Sequence, residues 1–553
     1  MNDPYASELY YDYPLILKQL LHAPISINPD QEIVSGFKFR YNYKNLRERI
    51  SRLATGLSSL GIKPGDTVGV MNWDCHRYLE CFFSIPMMGA ILHTINIRLS
   101  PQQILYTINH AQDDIILVHS DFLPLIRQIS KEFTRNIKIV LLCDEKLDFQ
   151  NYENIDEEYE TLLKESSHEF DFLDFNENSL ATRFYTTGTT GDPKGVSYSH
   201  RQLVLHTLGV IAGTGVAKSN SRIHKEDVYM PITPMFHVHG WGFPYVATLL
   251  GLKQVYPGKY NSSKILKLIK DEKVTFSHCV PTILKLIFDD ENSKNVNLSN
   301  LKMIIGGSAL PKGLAKNATD CGINVFSAYG MSETCPFVTV ADIPYESSKK
   351  LDDALIELRC KTGKPAPLVE VRVVDEHLKD IPKGGKLTGE IILRSPWLTK
   401  GYVKDQNGSN ALWKGGYLHT GDIGYLDETG SLQITDRMKD VIKSGGEWIS
   451  SLELENIVSK CIGIREVAAI GIPDEKWGER PILIFSCDKG KTYLEVETGI
   501  LELIKTNIEK GNLSKWAKPD RIIMVDEIDK TSVGKIDKKL LRKKFSDIKI
   551  KNK

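Results

Sequence analysis

The sequence predicts an α/β protein: a large N-terminal domain of α/β sheets with a β subdomain, followed by a small α+β C-terminal domain. Three observations predict it. At 553 residues the chain exceeds what a single hydrophobic core organises. From Tyr43 onward, helix-period stretches alternate with short apolar runs, the pattern of a parallel sheet covered on both faces. From Leu351 to Arg394 short strand patterns take over, and a mixed pattern returns over residues 465–535.

The elements follow in order. Residues 1–40 carry few periodic signals. Leu46, Ile50, Leu53, Leu57 and Leu60 then recur at three- and four-residue steps, one face of a helix that Gly61 and Pro64 end. Thr67–Met71 reads as a buried strand, His76–Gly89 as a helix and Asp114–Val118 as another strand. The segment 144–178, rich in Glu, Asp and Asn, reads as a mobile surface connection. Arg201–Val210 reads as a helix beginning near Ser199, Tyr229–Pro231 as the end of a strand, and Val274–Phe276 and Lys302–Ile305 as further strands. In the strand-rich region, Gly363–Pro365, Val371–Val374 and Gly389–Leu393 are the strand candidates, and Ser451–Val458 reads as a helix.

Composition excludes several classes. Lysine plus arginine equals aspartate plus glutamate, 70 each, so no global field selects nucleic acid or membrane. No apolar run reaches the ~18 residues of a membrane span. The start, MNDPYASELYYDYPL, lacks the basic and apolar regions of a signal peptide. Nine scattered cysteines without a C-x-x-C pair complete the expectation of a reducing cytoplasm and no structural zinc.

The chemistry concentrates at 185–200, Tyr-Thr-Thr-Gly-Thr-Thr-Gly-Asp-Pro-Lys-Gly-Val-Ser-Tyr-Ser-His. Thr186, Thr187, Thr189 and Thr190 surround Gly188, and Gly191 and Gly195 bracket Lys194. Small residues let backbone N–H groups converge, hydroxyls add donors, and the lysine adds a mobile charge, which together suit a polyphosphate. The spacing is not G-x-x-x-x-G-K-[ST]. A helix starting near Ser199 would add its dipole.

Downstream, Gly306-Gly307-Ser308 ends a strand at a turn, where open α/β sheets bind ligands. In Ser327-Ala328-Tyr329-Gly330-Met331-Ser332-Glu333, Tyr329 offers a flat ring for stacking, Ser332 a hydroxyl, and Glu333 a hard oxygen for a cation. Asp422 offers a carboxylate that can accept from two neighbouring hydroxyls. His237 and His239, at i and i+2, would face one side of a strand, but no third metal ligand lies nearby.

These motifs, in this order over residues 10–545, resemble the adenylate-forming superfamily, and Met235–Trp241 and Lys443–Trp448 resemble its medium- and long-chain fatty acid–CoA ligases. The resemblance implies ATP-dependent formation of an acyl-adenylate and its transfer to CoA, with magnesium as cofactor. It implies domains at 1–435 (β subdomain about 350–435) and 442–553, with a hinge at 436–441 that turns at Lys439. It places Lys535, Glu333 and Lys194 in catalysis, with Glu333 and Thr186 at the metal. The ATP and AMP contacts are Thr186–Gly191, Lys194, Gly307, Ser308, Ser327–Gly330, Ser332, Asp422, Arg437, Lys439, Trp448 and Lys535. His237, Val238 and Trp241 border the acyl pocket, and Lys439, Lys443, Gly445, Gly446 and Glu447 serve the hinge and CoA. Asp529 stands where the family has proline, and Ser332 where it often has threonine.

Aryl, branched or sulfur-containing short acids are the alternative substrates, and loading of a carrier-protein thiol or non-catalytic AMP sensing are the alternative functions. A homodimer is the expected assembly. The basic tail from Lys538 to Lys553 reads as solvated, with at most a weak attraction to anionic membranes or CoA phosphates.

Overall fold

The structure, a computed structural model, describes residues 12–144, 154–186, 192–215, 221–348, 352–385, 387–444, 447–488, 490, 492–511, 513–531 and 534–546. Two large sheets build the N-terminal domain. The seven-stranded sheet runs Glu157–Glu158, Lys138–Leu142, Ile115–His119, Thr67–Met71, Ile91–Thr94, Leu180–Thr186, Lys194–Ser199. All its neighbours are parallel except the last pair. Thr67–Met71 and Ile115–His119 are buried at every position, as strands covered on both faces must be.

The nine-stranded sheet has a parallel centre of Asn324–Tyr329, Lys302–Ile305, Phe276–Cys279, Val228–Pro231, Lys253–Tyr256 and Glu32–Ser35. Because these strands point the same way, the segments after Pro231, Cys279, Ile305 and Tyr329 emerge along one edge. That edge is where the site forms.

A five-stranded sheet, antiparallel throughout, spans Glu370–Val374, Gly389–Arg394, Trp413–Lys414, Tyr417–Leu426 and Leu432–Arg437. It is the strand-rich segment expected after Leu351. The C-terminal unit packs Ser451–Val458 and Tyr493–Glu509 with a sheet of Ile442–Ser444, Glu447–Ile449, Ile464–Asp474, Gly478–Cys487 and Arg521–Met524.

The helix Tyr43–Ser59 follows its sequence signals. Asn42 and Asn45 form a reciprocal capping box, Leu46, Ile50, Leu53 and Leu57 are buried, and Gly61 closes the end at φ +101°.

The stretch Leu15–Leu21, weakly patterned in sequence, is anchored, with Leu17, Leu20 and Leu21 buried and the Leu15 amide donating to Glu177 at 2.7 Å. Three expectations need correction. The strand expected at Val274–Phe276 lies at Phe276–Cys279, because Val274 still closes the preceding helix through its amide to the Ile269 carbonyl.

The acidic segment 144–178 is only in part a surface connection. Its helix Tyr159–Glu165 buries Tyr159, Leu162 and Leu163, and Glu160 pairs with Arg49 and Arg77, both at 2.9 Å. The basic tail is also less solvated than expected. Lys538 reaches Glu455 at 2.7 Å and Arg542 reaches Asp440 at 2.7 Å, while residues beyond 546 lie outside the described range.

Leu162 packs so closely that a Cβ on Gly56 would stand 2.6 Å from its Cγ. We expect Leu162→Ala to cost about 2–5 kcal/mol in a urea titration. A change within about 0.5 kcal/mol would return this helix to the surface.

Candidate active site

The last loop of the chain meets the large domain at the end of its sheet. Within Thr531–Ile536, the Thr531 amide donates to the Lys535 carbonyl at 2.7 Å and the Lys535 amide to the Thr531 hydroxyl at 3.2 Å. Gly534 takes φ +82°, which glycine adopts without strain. Its carbonyl accepts from the Thr282 hydroxyl at 3.0 Å, across the two domains. Lys535 then passes over Gly307, where a Cβ would stand 3.1 Å from the lysine Cε. Gly307, at φ +79°, is therefore needed both for its backbone and for the space it leaves.

Around the ammonium stand groups contributed by distant segments. Burial pushes Lys535 down to about 8. Arg437 pushes the same way, Asp422 and Glu333 oppose it, and Lys439 adds to the depression. Asp422 is buried and held above the ordinary carboxylate range by that burial. Arg437 pulls it back from 3.5 Å, and the Tyr329 hydroxyl donates to it at 2.6 Å. Asp422 and Arg437 are direct partners on adjacent antiparallel strands, so the sheet register sets this pair.

Glu333 lies buried in a single 3₁₀ turn, Ser332–Thr334. Burial raises it, and the Tyr402 hydroxyl, donating at 2.7 Å, partly offsets that. The Tyr402 ring lies under the Lys194 ammonium at 4.4 Å, and Asp405 pairs with Lys194 at 3.1 Å. One tyrosine thus connects the two charged groups. Thr186 is the cross-strand partner of Lys194, at the mouth of the hairpin that carries the phosphate-loop signature; Thr187, Gly188, Thr189, Thr190 and Gly191 lie outside the described residues.

Several expected ligand contacts have a packing reason of their own. A Cβ on Gly330 would fall 1.2 Å from the Pro336 carbonyl oxygen, so only glycine fits there. Ser327 keeps a buried hydroxyl with no partner among the described residues, a donor held in reserve, and Ala328 pairs with Val340 at the sheet edge. Ser308 is exposed just beyond the strand end. The Ser332 carbonyl accepts from Tyr198 at 2.6 Å, which fixes the turn rather than the hydroxyl.

His237 is neutral, pushed down to about 3 by burial and then by Lys535. The strand expected for the histidine pair is instead a left-handed turn, so the i, i+2 argument for a shared face does not apply. Val238 is buried, and Trp241 lies against Gly306, where a Cβ would stand 3.1 Å from the indole.

The small domain's other residues do not join this cluster. The Lys443 amide donates to Glu479 at 2.8 Å and Glu447 accepts from Ser514 at 2.8 Å, both within that domain. Trp448 is described only as the strand partner of Lys443, and Gly445 and Gly446 lie outside the described residues. Asp529, in the proline position, accepts from Lys544 at 3.1 Å.

Among the described residues no group of three potential metal ligands assembles. A single buried carboxylate, Glu333, fits magnesium, which takes one or two carboxylates and draws its other ligands from phosphates and water. No helix among the described residues is long and apolar enough to cross a membrane.

Comparison with known proteins identifies the family and the fold. Residues 23–403 match the AMP-binding enzyme model and residues 453–535 match the AMP-binding enzyme C-terminal domain. A long-chain-fatty-acid–CoA ligase of Thermus thermophilus is 37% identical over 543 residues, covering 97% of this chain and 96% of its own. A 3-methylmercaptopropionyl-CoA ligase of Ruegeria lacuscaerulensis is 35% identical, covering 97% and 98%. The crystal structure of an anthranilate CoA ligase in complex with anthranoyl-AMP superimposes with a TM-score of 0.84 at 21% identity, over 96% of this chain and 98% of its own. The chain belongs to the AMP-binding enzyme family, and within it is an AMP-forming acyl-CoA ligase.

Sequence reasoning missed Tyr402, Asp405 and Tyr198. Gly195 was the available signal, since a Cβ there would meet Val403 at 3.1 Å and the Val403 amide donates to its carbonyl at 2.9 Å.

The lowered Lys535 would make any closing of the C-terminal domain over the site depend on pH. Lifted out of the site, the amine would return toward its ordinary 10.5, against about 8 where it is buried. The closed form binds fewer protons between those values, so closure becomes easier as pH rises through that window and pays the full charge penalty below it. Small-angle scattering of nucleotide-free protein should show a more compact lid at pH 9.5 than at pH 7, roughly the two sides of the closed-state value. Lys535→Met should be equally compact at both; a pH response surviving that change would remove Lys535 from the account.

Proposed function

We propose that this enzyme joins a medium- or long-chain fatty acid to CoA, in the cytoplasm, through an acyl-adenylate. The carrying observation is the juxtaposition of Lys535 with Glu333, Asp422 and Arg437 over Gly307, in a cleft closed by two domains. A carboxylate resists a thiol because its oxide is a poor leaving group and its charge repels nucleophiles. Attack of the carboxylate oxygen on the α-phosphorus of ATP breaks the α–β bond and expels pyrophosphate, and AMP is then the leaving group when the thiol attacks the acyl carbon.

The first step brings two anions together, so its catalysis is positioning and charge neutralisation. Lys194 and the phosphate loop would hold the β- and γ-phosphates. Magnesium, held by Glu333 and Thr186, would neutralise them further. Asp422 would take the ribose hydroxyls, and Lys535 would bridge the fatty carboxylate and the α-phosphate. No base is required, because the attacking acid is already ionised near neutrality. The neutral His237 borders the reacting end without adding a charge. Rotation at Lys439 would then withdraw Lys535 and bring the 443–448 segment to the adenylate for the thiol step.

The long-chain relative and the apolar cluster that holds Trp241, packed on Gly306, and Val280 support an apolar acid. Each buried methylene contributes about 0.8 kcal/mol, so length preference rests on wall shape. The 35% identical 3-methylmercaptopropionyl-CoA ligase favours, as a second reading, a short sulfur-containing acid.

Pyrophosphate release with ATP and CoA over a panel of saturated, aryl and methylthio acids separates these readings. We expect kcat/KM to climb with chain length before levelling, about 3- to 4-fold per methylene at 0.8 kcal/mol each. Turnover confined to methylthiopropionate or to aryl acids would reject the fatty-acid reading. Failure to form acyl-CoA from free CoA would point to a carrier-protein thiol.

A further inference from the structure

The acyl wall is built on strained backbone. Val238, His239, Gly240, Trp241 and Gly242 take φ of +47°, +57°, +56°, +60° and +76° in succession. Left-handed conformation is disfavoured for every non-glycine residue, and a β-branched residue such as Val238 adopts it least readily. Such a run persists only where its surroundings over-determine it.

The turn's own bonds are short-range: His237 amide to Pro234 carbonyl at 2.9 Å, and Gly242 amide to His239 carbonyl at 3.0 Å. Its entrance is tied to the other sheet. Thr94 donates to the Phe236 carbonyl at 2.9 Å, and the Met235 amide donates to the Asp74 carboxylate at 2.8 Å.

Asp74 is 3% exposed and lies just past the strand Thr67–Met71. Its second oxygen accepts from the Tyr260 hydroxyl at 2.5 Å, and its carbonyl from the Gly258 amide at 2.7 Å. One carboxylate therefore joins the ends of strands from both large sheets. Burial raises its pKa to about 7, against the Met235 amide, Tyr260 and the more distant Arg98. A buried acid so placed is costly as packing alone.

We propose that Asp74 is a positioning residue for the acyl site, fixing the angle at which the left-handed turn leaves Met235 and so seating Trp241 on Gly306. The depth open to the acyl chain then depends on this carboxylate, which never touches the chain. The inference rests on the reading above that Val238 and Trp241 wall the acyl chain.

The test compares Asp74→Asn, Tyr260→Phe and Trp241→Ala in the pyrophosphate-release assay with straight-chain acids from hexanoate to palmitate. For Asp74→Asn we expect discrimination between the best acid and one two methylenes shorter to fall about 10-fold, through KM for the acid. ATP KM should stay within about two-fold, since the nucleotide groups are untouched. Tyr260→Phe should shift the profile in the same direction by less, and it carries the test if Asp74→Asn does not fold.

An unchanged profile in the folded Asp74 and Tyr260 variants, with a changed one in Trp241→Ala, overturns the positioning role and leaves the acyl wall standing. An unchanged profile in Trp241→Ala overturns the wall and this inference with it. Parallel loss of acid and ATP affinity would reduce Asp74 to general structural support and also overturn the role.

Discussion

A lysine ammonium carried out of water with its compensation only half assembled is the constraint on which this architecture depends. Lys535 lies buried, and the groups around it are of mixed sign: Asp422 and Glu333 against Arg437 and Lys439. Removing a charge from water costs several kcal/mol unless it is well paired. In the proposed reaction an anionic ligand would supply the remainder of that pairing, so closing of the C-terminal domain would depend on occupancy.

The remaining structure can be understood as the means of bringing that ammonium to one place. Parallel strands deliver Gly307, Tyr329 and the Pro234–Trp241 segment to a common edge. The antiparallel subdomain presents Asp422 and Arg437 side by side. At the junction, the Asp436 carboxylate accepts from the Ser451 hydroxyl at 3.0 Å, which in turn accepts from Lys538 at 2.6 Å. The C-terminal unit is therefore tied to the residue three places before the expected pivot, while Arg542 holds Asp440 just after it. Rotation would exchange these bonds rather than simply relax a linker.

Much of this was legible in residue order. The phosphate-loop signature, the Tyr329–Glu333 motif, Asp422 and Lys535 were picked out by their resemblance to a family pattern, while helix 43–59 carries its cap and its buried face in its own letters. What escaped depends on partners far apart in sequence. Tyr402 meets Lys194 and Glu333 only after three segments fold together. The acids of 144–178 looked solvated because Arg49 and Arg77 stand some hundred positions earlier. Gly330 is demanded by a carbonyl rather than by a nucleotide, and five left-handed residues in a row have no compositional sign beyond two glycines. The function was nearer the surface of the sequence than the packing that supports it.

On the proposed mechanism Lys535 serves adenylate formation and then leaves. In Lys535→Ala, single-turnover measurement of the two half-reactions should show adenylate formation reduced at least about 10³-fold, the scale of losing a dominant electrostatic group, with thioester formation from synthetic acyl-adenylate within about ten-fold of the unmodified enzyme. Equal loss in both steps, or an unimpaired first step, would contradict it.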